Sequence, residues 1–221
     1  MKTTQDISRL KSKVLKCFAA AVTLACLGAA ASVPFYFESQ SLYYKFGIHK
    51  TLLQAGKIFG LFALVLMLFQ VVLVSRAQFL VKIFNLKMLF ALHRNSGKLI
   101  GILVLLHPFF ILAADDFTLF PFETRYWPEF LGLGLAVFVL TTILISLGQK
   151  RLGITYKTWQ FFHRIGTPLI IILAVIHVRW VSESFDLAVP KTGLYIFLLL
   201  AGIVFVRIYM YRYIQTKKRK K

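Results

Sequence analysis

Six runs of about twenty apolar residues, set apart by short polar stretches, constrain this chain more than any other feature. They fall at 14–36, 51–75, 91–114, 129–148, 158–181 and 192–214. At about 1.5 Å per residue in a helix, each is long enough to cross roughly 30 Å of hydrocarbon. The expected fold is therefore all-α: an integral membrane bundle of six transmembrane helices. Residues 14–214 form the membrane domain, between a basic N-terminus at 1–13 and a basic tail at 215–221. Of the 221 residues 58% are hydrophobic, which sets aside an ordinary soluble domain.

An even number of spans returns both termini to one side, and charge says which. Lys and Arg number 27 against 8 Asp and Glu, a formal net charge of +19. With both termini cytoplasmic, the inner side collects Lys2, Arg9, Lys11, Lys13, Lys16, Arg76, Lys82, Lys87, Arg94, Lys98, Lys150, Arg151, Lys157, Arg164, Arg207, Arg212 and the 217–221 cluster. Only Lys45, Lys50, Lys57, Arg125, Arg179 and Lys191 remain outside, a strong positive-inside bias. Seven of the eight acids lie in or beside the outer loops: Glu38, Asp115, Asp116, Glu123, Glu129, Glu183 and Asp186. The basic tail, directly after a span, reads as an anchor to anionic membrane lipid and not as a nucleic-acid patch. The first run follows a basic leader, yet it continues to Phe37 without a small-residue cleavage site, so it is expected to stay as a helix. These features suit the inner, or cell, membrane of a bacterium.

Cys17 and Cys26 stand nine residues apart on opposite faces of one helix and cannot bridge. No C-x-x-C-H motif attaches a heme covalently, and no cysteine cluster holds iron–sulfur. Histidine is left as the candidate ligand. Four of the five histidines form two pairs with the same fourteen-residue separation, His93 with His107 in the third span and His163 with His177 in the fifth. Fourteen residues make about 1,400° of helix, so both members of a pair share a face about 21 Å apart along the axis. Both spans run from inside to outside, which sets His93 level with His163 and His107 level with His177. Two level pairs make two axial sites. An iron held by two neutral imidazoles is saturated, which suits electron transfer and leaves no position for substrate. The expected cofactors are two b-type hemes, one per leaflet, with the four histidines as their metal ligands.

A single buried histidine more often bonds to a neighbouring helix, but that reading explains neither the equal spacing nor the matched depth. A heme-free transporter or channel using the histidines as a proton relay is the alternative from another class, and it needs no equal pairs. The segments His93-Arg94 to His107 and His163-Arg164 to His177 also repeat weakly, with Leu99-Ile100 matching Leu169-Ile170. Arg94 and Arg164 are candidate partners for the propionates of the inner heme and Arg179 for those of the outer, because guanidinium pairs well with carboxylate; snorkelling to the interface is compatible with that role. Arg207 stands second to these. Gly97, Gly101 and Gly166 either let a macrocycle approach or serve helix packing. Lys45, His49, Lys50, Lys57 and Arg125 suggest a basic pocket facing an anionic acceptor, with His49 in a loop or at a helix start, read as a solvated residue and not as a ligand. The stretch Gln78–Phe90 is expected to be an interfacial helix leading into the third span.

On His93-Arg94, His107, His163-Arg164 and His177 the chain resembles the ferric reductase-like transmembrane domain. That six-helix bis-heme core is shared by ferric-chelate reductases, NADPH oxidases and the heme subunit of the periplasmic methionine sulfoxide reductase system. The resemblance covers about residues 50–214 and implies that these four histidines ligate the hemes. Many relatives carry a cytoplasmic FAD and NAD(P)H domain after the sixth helix, whereas this sequence ends at Lys221 without a phosphate-cradling glycine loop. A cytoplasmic flavoprotein, bringing FAD or FMN, or a membrane quinol is then the expected donor. The expected acceptor is extracytoplasmic: ferric iron, oxygen or a periplasmic reductase.

Overall fold

A computed structural model describes residues 2–75, 77–119 and 121–219, with side chains described from Leu10 to Met210. Arg76, Lys220 and Lys221 lie outside the described residues, as do the side chains of Lys2, Arg9, Arg212 and the 217–219 segment. The described residues form six long helices, α1 (Lys2–Tyr36), α2 (Gly47–Val74), α3 (Gln78–Ala114), α4 (Trp127–Gly148), α5 (Tyr156–Val181) and α6 (Ala188–Arg219), joined by short turns and loops with three single 3-10 turns and no strand. All six are long and apolar enough to cross a membrane.

The helices reach beyond the runs read from hydropathy. α1 continues through the basic N-terminus and α6 into the basic tail as far as Arg219. The expected helix at 78–90 leading into the third span is present as the short first limb of α3, but it ends early, where α3 breaks at Asn85 with φ 50° and ψ 162°. With that ψ the residue lies outside the left-handed helical region that asparagine favours and close to the region that glycine alone adopts freely, so the kink is strained. The Asn85 Oδ1 accepts the Met88 amide at 2.9 Å, which caps the long limb beginning at Leu86. The short limb folds back: Ala77, Leu80 and Leu89 are buried together against Val72, Leu73, Val81 and Phe84.

Side chains that face lipid need no core, so the buried set is narrow. α2 lies at the centre and packs on α1, α3 and α6, while α4 pairs with α5. The main core joins Leu61, Leu64, Leu103, Val139, Ile170 and Ala174 from α2 to α5. Val71, Ile171 and Ala201 join α2, α5 and α6 in a second cluster. α3 and α5 approach each other little along their backbones. The backbones of the two helices that carry the paired histidines therefore stand apart, and the slot between them is bridged by side chains.

The segments 37–46, 115–126 and 182–187 meet at one end of the bundle, the acidic end. Ser184 Oγ donates to the Phe37 carbonyl at 2.6 Å, the Gln40 amide donates to Glu183 at 3.0 Å, Tyr43 donates to Asp116 at 2.9 Å, and Tyr44 donates to Asp115. The opposite end, which carries the breaks between α2 and α3 and between α4 and α5, is rich in Lys and Arg.

Candidate functional site

The slot between α3 and α5 is crossed by histidine rings at two levels. His93 and His163 stand with ring centres 6.2 Å apart and planes at 87°. His107 and His177 stand with ring centres 6.2 Å apart and planes at 77°. One metal bonded at about 2 Å to a nitrogen of each imidazole holds the two ring centres about 6 Å apart. Among the described residues no group of three or more His, Cys, Asp or Glu is placed to hold a metal ion. Two imidazoles alone would leave a bare ion under-coordinated, whereas a porphyrin brings four equatorial nitrogens of its own. The ring separation, the slot and the donor set thus fit a heme between each pair.

The pair nearer the acidic end is fixed by backbone. His107 Nδ1 is 2.8 Å from the Gly56 carbonyl of α2, and His177 Nδ1 is 2.9 Å from the Pro128 carbonyl of α4. A carbonyl only accepts, so Nδ1 carries the proton and donates, and Nε2 keeps its lone pair for a metal. Both contacts depend on glycine. A Cβ on Gly60 would lie 2.8 Å from His107 Nδ1, and one on Gly132 would lie 2.8 Å from His177 Nδ1. Neither position accepts even an alanine without moving a ring.

The pair nearer the basic end is held differently. His93 Nδ1 and His163 Nδ1 are buried and have no hydrogen-bond partner among the described residues. Trp159 stacks on the His163 ring at 5.2 Å and 21°, and its Nε1 donates to Ser146 Oγ of α4 at 3.1 Å. Gln70, nearly buried on α2, donates from Nε2 to the His93 carbonyl at 2.9 Å. These partners, like Gly60 and Gly132, were not singled out from sequence. A glycine four residues after an acceptor carbonyl becomes a signal only once the facing histidine is known.

The glycines that were singled out serve packing. A Cβ on Gly97 would meet Gln70 Nε2 at 3.2 Å, one on Gly101 would meet Ile143 at 3.3 Å, and one on Gly166 would meet Phe138 at 3.4 Å. The arginines divide. Arg94 and Arg164 are exposed near the first pair and have no acidic partner among the described residues. Arg179 is committed to Asp186 at 2.6 Å, with its guanidinium 5.3 Å from the Trp180 ring centre.

The basic pocket expected at the acidic end is neutralised in part within the chain. Lys50 pairs with Glu38 at 2.8 Å, Arg125 pairs with Glu123 at 2.8 Å, and Lys57 reaches Ser184 Oγ at 3.5 Å. His49 lies at the helix start, in the first turn of α2, and is not free in solvent: its Nδ1 is 3.0 Å from the Ala114 carbonyl at the end of α3. The Lys50 hydrogen bond holds the Glu38 carboxyl below its usual pKa, while burial, helped by Asp115, pushes the Tyr44 hydroxyl up.

Residues 59–174, just over half of the chain, match the family model described as ferric reductase like transmembrane component. No curated protein and no solved structure matches the chain.

Proposed function

Because the chain belongs to the ferric reductase-like transmembrane component family, whose business is electron transfer across membranes, we propose that it carries electrons through two b-type hemes held by His93 with His163 and by His107 with His177. The observation that carries this reading is the repetition of one geometry, a histidine pair with ring centres 6.2 Å apart, at both levels of a slot between two helices. A heme held by each pair would supply a one-electron iron couple.

The chain's own residues do the rest. The Nδ1–H groups of His107 and His177, tied to backbone carbonyls, hold those rings in the tautomer that presents Nε2. Trp159, itself fixed by Ser146, restricts the His163 ring. Apolar side chains of α2, α4 and α5 keep water from the slot. Arg94 and Arg164 are available to the propionates of the heme at the basic end, whereas Arg179 would have to leave Asp186 to serve the other.

The distribution of Lys and Arg supports a cytoplasmic basic end and an extracytoplasmic acidic end, in the inner membrane of a bacterium. The donor is then a cytoplasmic flavoprotein, bringing FAD or FMN, or a membrane quinol. The acceptor, at the acidic end, is ferric iron, oxygen or a periplasmic reductase. The test is spectroscopic. His163→Ala and His177→Ala should each halve the b-type absorbance of the purified protein and stop reduction of an external acceptor by an internal donor. Full bis-heme spectra in both variants would remove these residues from the ligand set.

A further inference from the structure

The same backbone device occurs twice, and only at the outer pair of histidines. On α2 the Gly56 carbonyl receives His107 Nδ1–H, and four residues on Gly60 clears the space for the ring. On α4 the Pro128 carbonyl receives His177 Nδ1–H, and four residues on Gly132 does the same. A carbonyl inside a helix already accepts the amide four residues later, yet it keeps a second lone pair. The residue at that fourth position shields the lone pair unless it has no Cβ. Glycine there opens the helix wall to an imidazole. The inner pair lacks the device: His93 Nδ1 and His163 Nδ1 are buried without an acceptor among the described residues, and Gly97 beside them receives Gln70.

An imidazole whose far N–H donates to an acceptor pushes electron density onto its ligating nitrogen and becomes a more basic ligand. A more basic axial ligand stabilises ferric over ferrous iron and so lowers the reduction potential. We propose that the carbonyl and glycine pairs Gly56 with Gly60 and Pro128 with Gly132 are a tuning element that sets the outer site at a lower potential than the inner one. This inference rests on the bis-heme reading given above. It makes the outer site the stronger reductant, on the side where the acceptor is met.

Potentiometric titration of the purified holoprotein should resolve two midpoints, and ligand exchange assigns them. In His177→Gly protein, supplied imidazole restores the ligand with its second N–H, while 1-methylimidazole restores it without one. The lower midpoint should rise with 1-methylimidazole relative to imidazole. In His163→Gly protein the same exchange should leave the higher midpoint unmoved. Gly60→Ala, whose methyl group meets the His107 ring less closely than one at Gly132 meets the His177 ring, should shift the ring without losing heme and raise the lower midpoint alone. Equal responses at the two sites, or none at the outer one, with two hemes still bound, overturn the inference and leave the bis-heme reading standing. A holoprotein without two hemes overturns both.

Discussion

At the scale of single residues, glycine and backbone carbonyls place the His107 and His177 rings as firmly as the histidines' own helices do. Gly132→Ala puts a methyl group where the His177 ring lies and should strip heme from the outer site while sparing the inner. Heme content and the split of the b-type absorption band would check this; full occupancy would show that the ring has room to move. Gln70 makes a contrasting case. Gln70→Leu removes its 2.9 Å bond to the His93 carbonyl and also a buried Oε1 with no acceptor role among the described residues. The lost bond and the lost unsatisfied group oppose each other, so stability should change by less than about 1 kcal/mol. A large fall in melting temperature would assign Gln70 a further partner. The four histidines were legible in sequence because ionisable side chains in apolar spans are rare and their spacing repeats. Gly60 and Gly132 were not, since their meaning depends on which ring faces them from another helix. Arg179 was read from its nearness to His177, but the loop carboxylate it meets, Asp186, is a tertiary fact.

At the scale of elements, hydropathy located all six helices but not their ends. Lipid selects apolar runs, whereas caps and turns decide where a helix stops, and those act through single polar atoms. Asn85 is the clearest instance, since its positive φ and its bond to the Met88 amide end the short helix that leads into the third span sooner than hydropathy suggested. Asn85→Ala removes the cap and keeps the strained backbone, at a cost of about 1–2 kcal/mol. Asn85→Gly relieves the strain and should cost less. Thermal unfolding in detergent compares the two; equal losses would mean that the cap and not the positive φ is what Asn85 supplies. Ala201, almost fully buried between Val71 and Ile171, sets how closely α6 approaches α2 and α5. Ala201→Leu should overpack that seam by about 1–3 kcal/mol. An unchanged melting temperature would show that α6 can slide without loss.

At the scale of the whole molecule, the two ends differ in kind. The acidic end is a closed network in which Glu38, Asp115, Asp116, Glu183 and Asp186 all have partners within the chain, so its surface offers less free charge than the sequence suggested. Its stability should depend on pH in a definite direction. The Tyr44 hydroxyl titrates above its ordinary value in the folded protein, so its contribution is complete below about pH 10 and is lost as pH rises further. Glu38 titrates below its ordinary value, so its contribution is present above about pH 4.5 and is lost as pH falls further. Thermal stability should fall off at both extremes, and the alkaline limb should shrink in Tyr44→Phe. An alkaline limb of unchanged size in that variant would place its origin elsewhere.

The slot with its two histidine pairs is the feature on which everything else turns. The most direct measurement is the heme content of the purified chain, by pyridine hemochrome assay with a reduced-minus-oxidised visible spectrum. Two b-type hemes per chain are predicted. One or none, after expression with heme in excess, would contradict the central claim that both pairs hold iron.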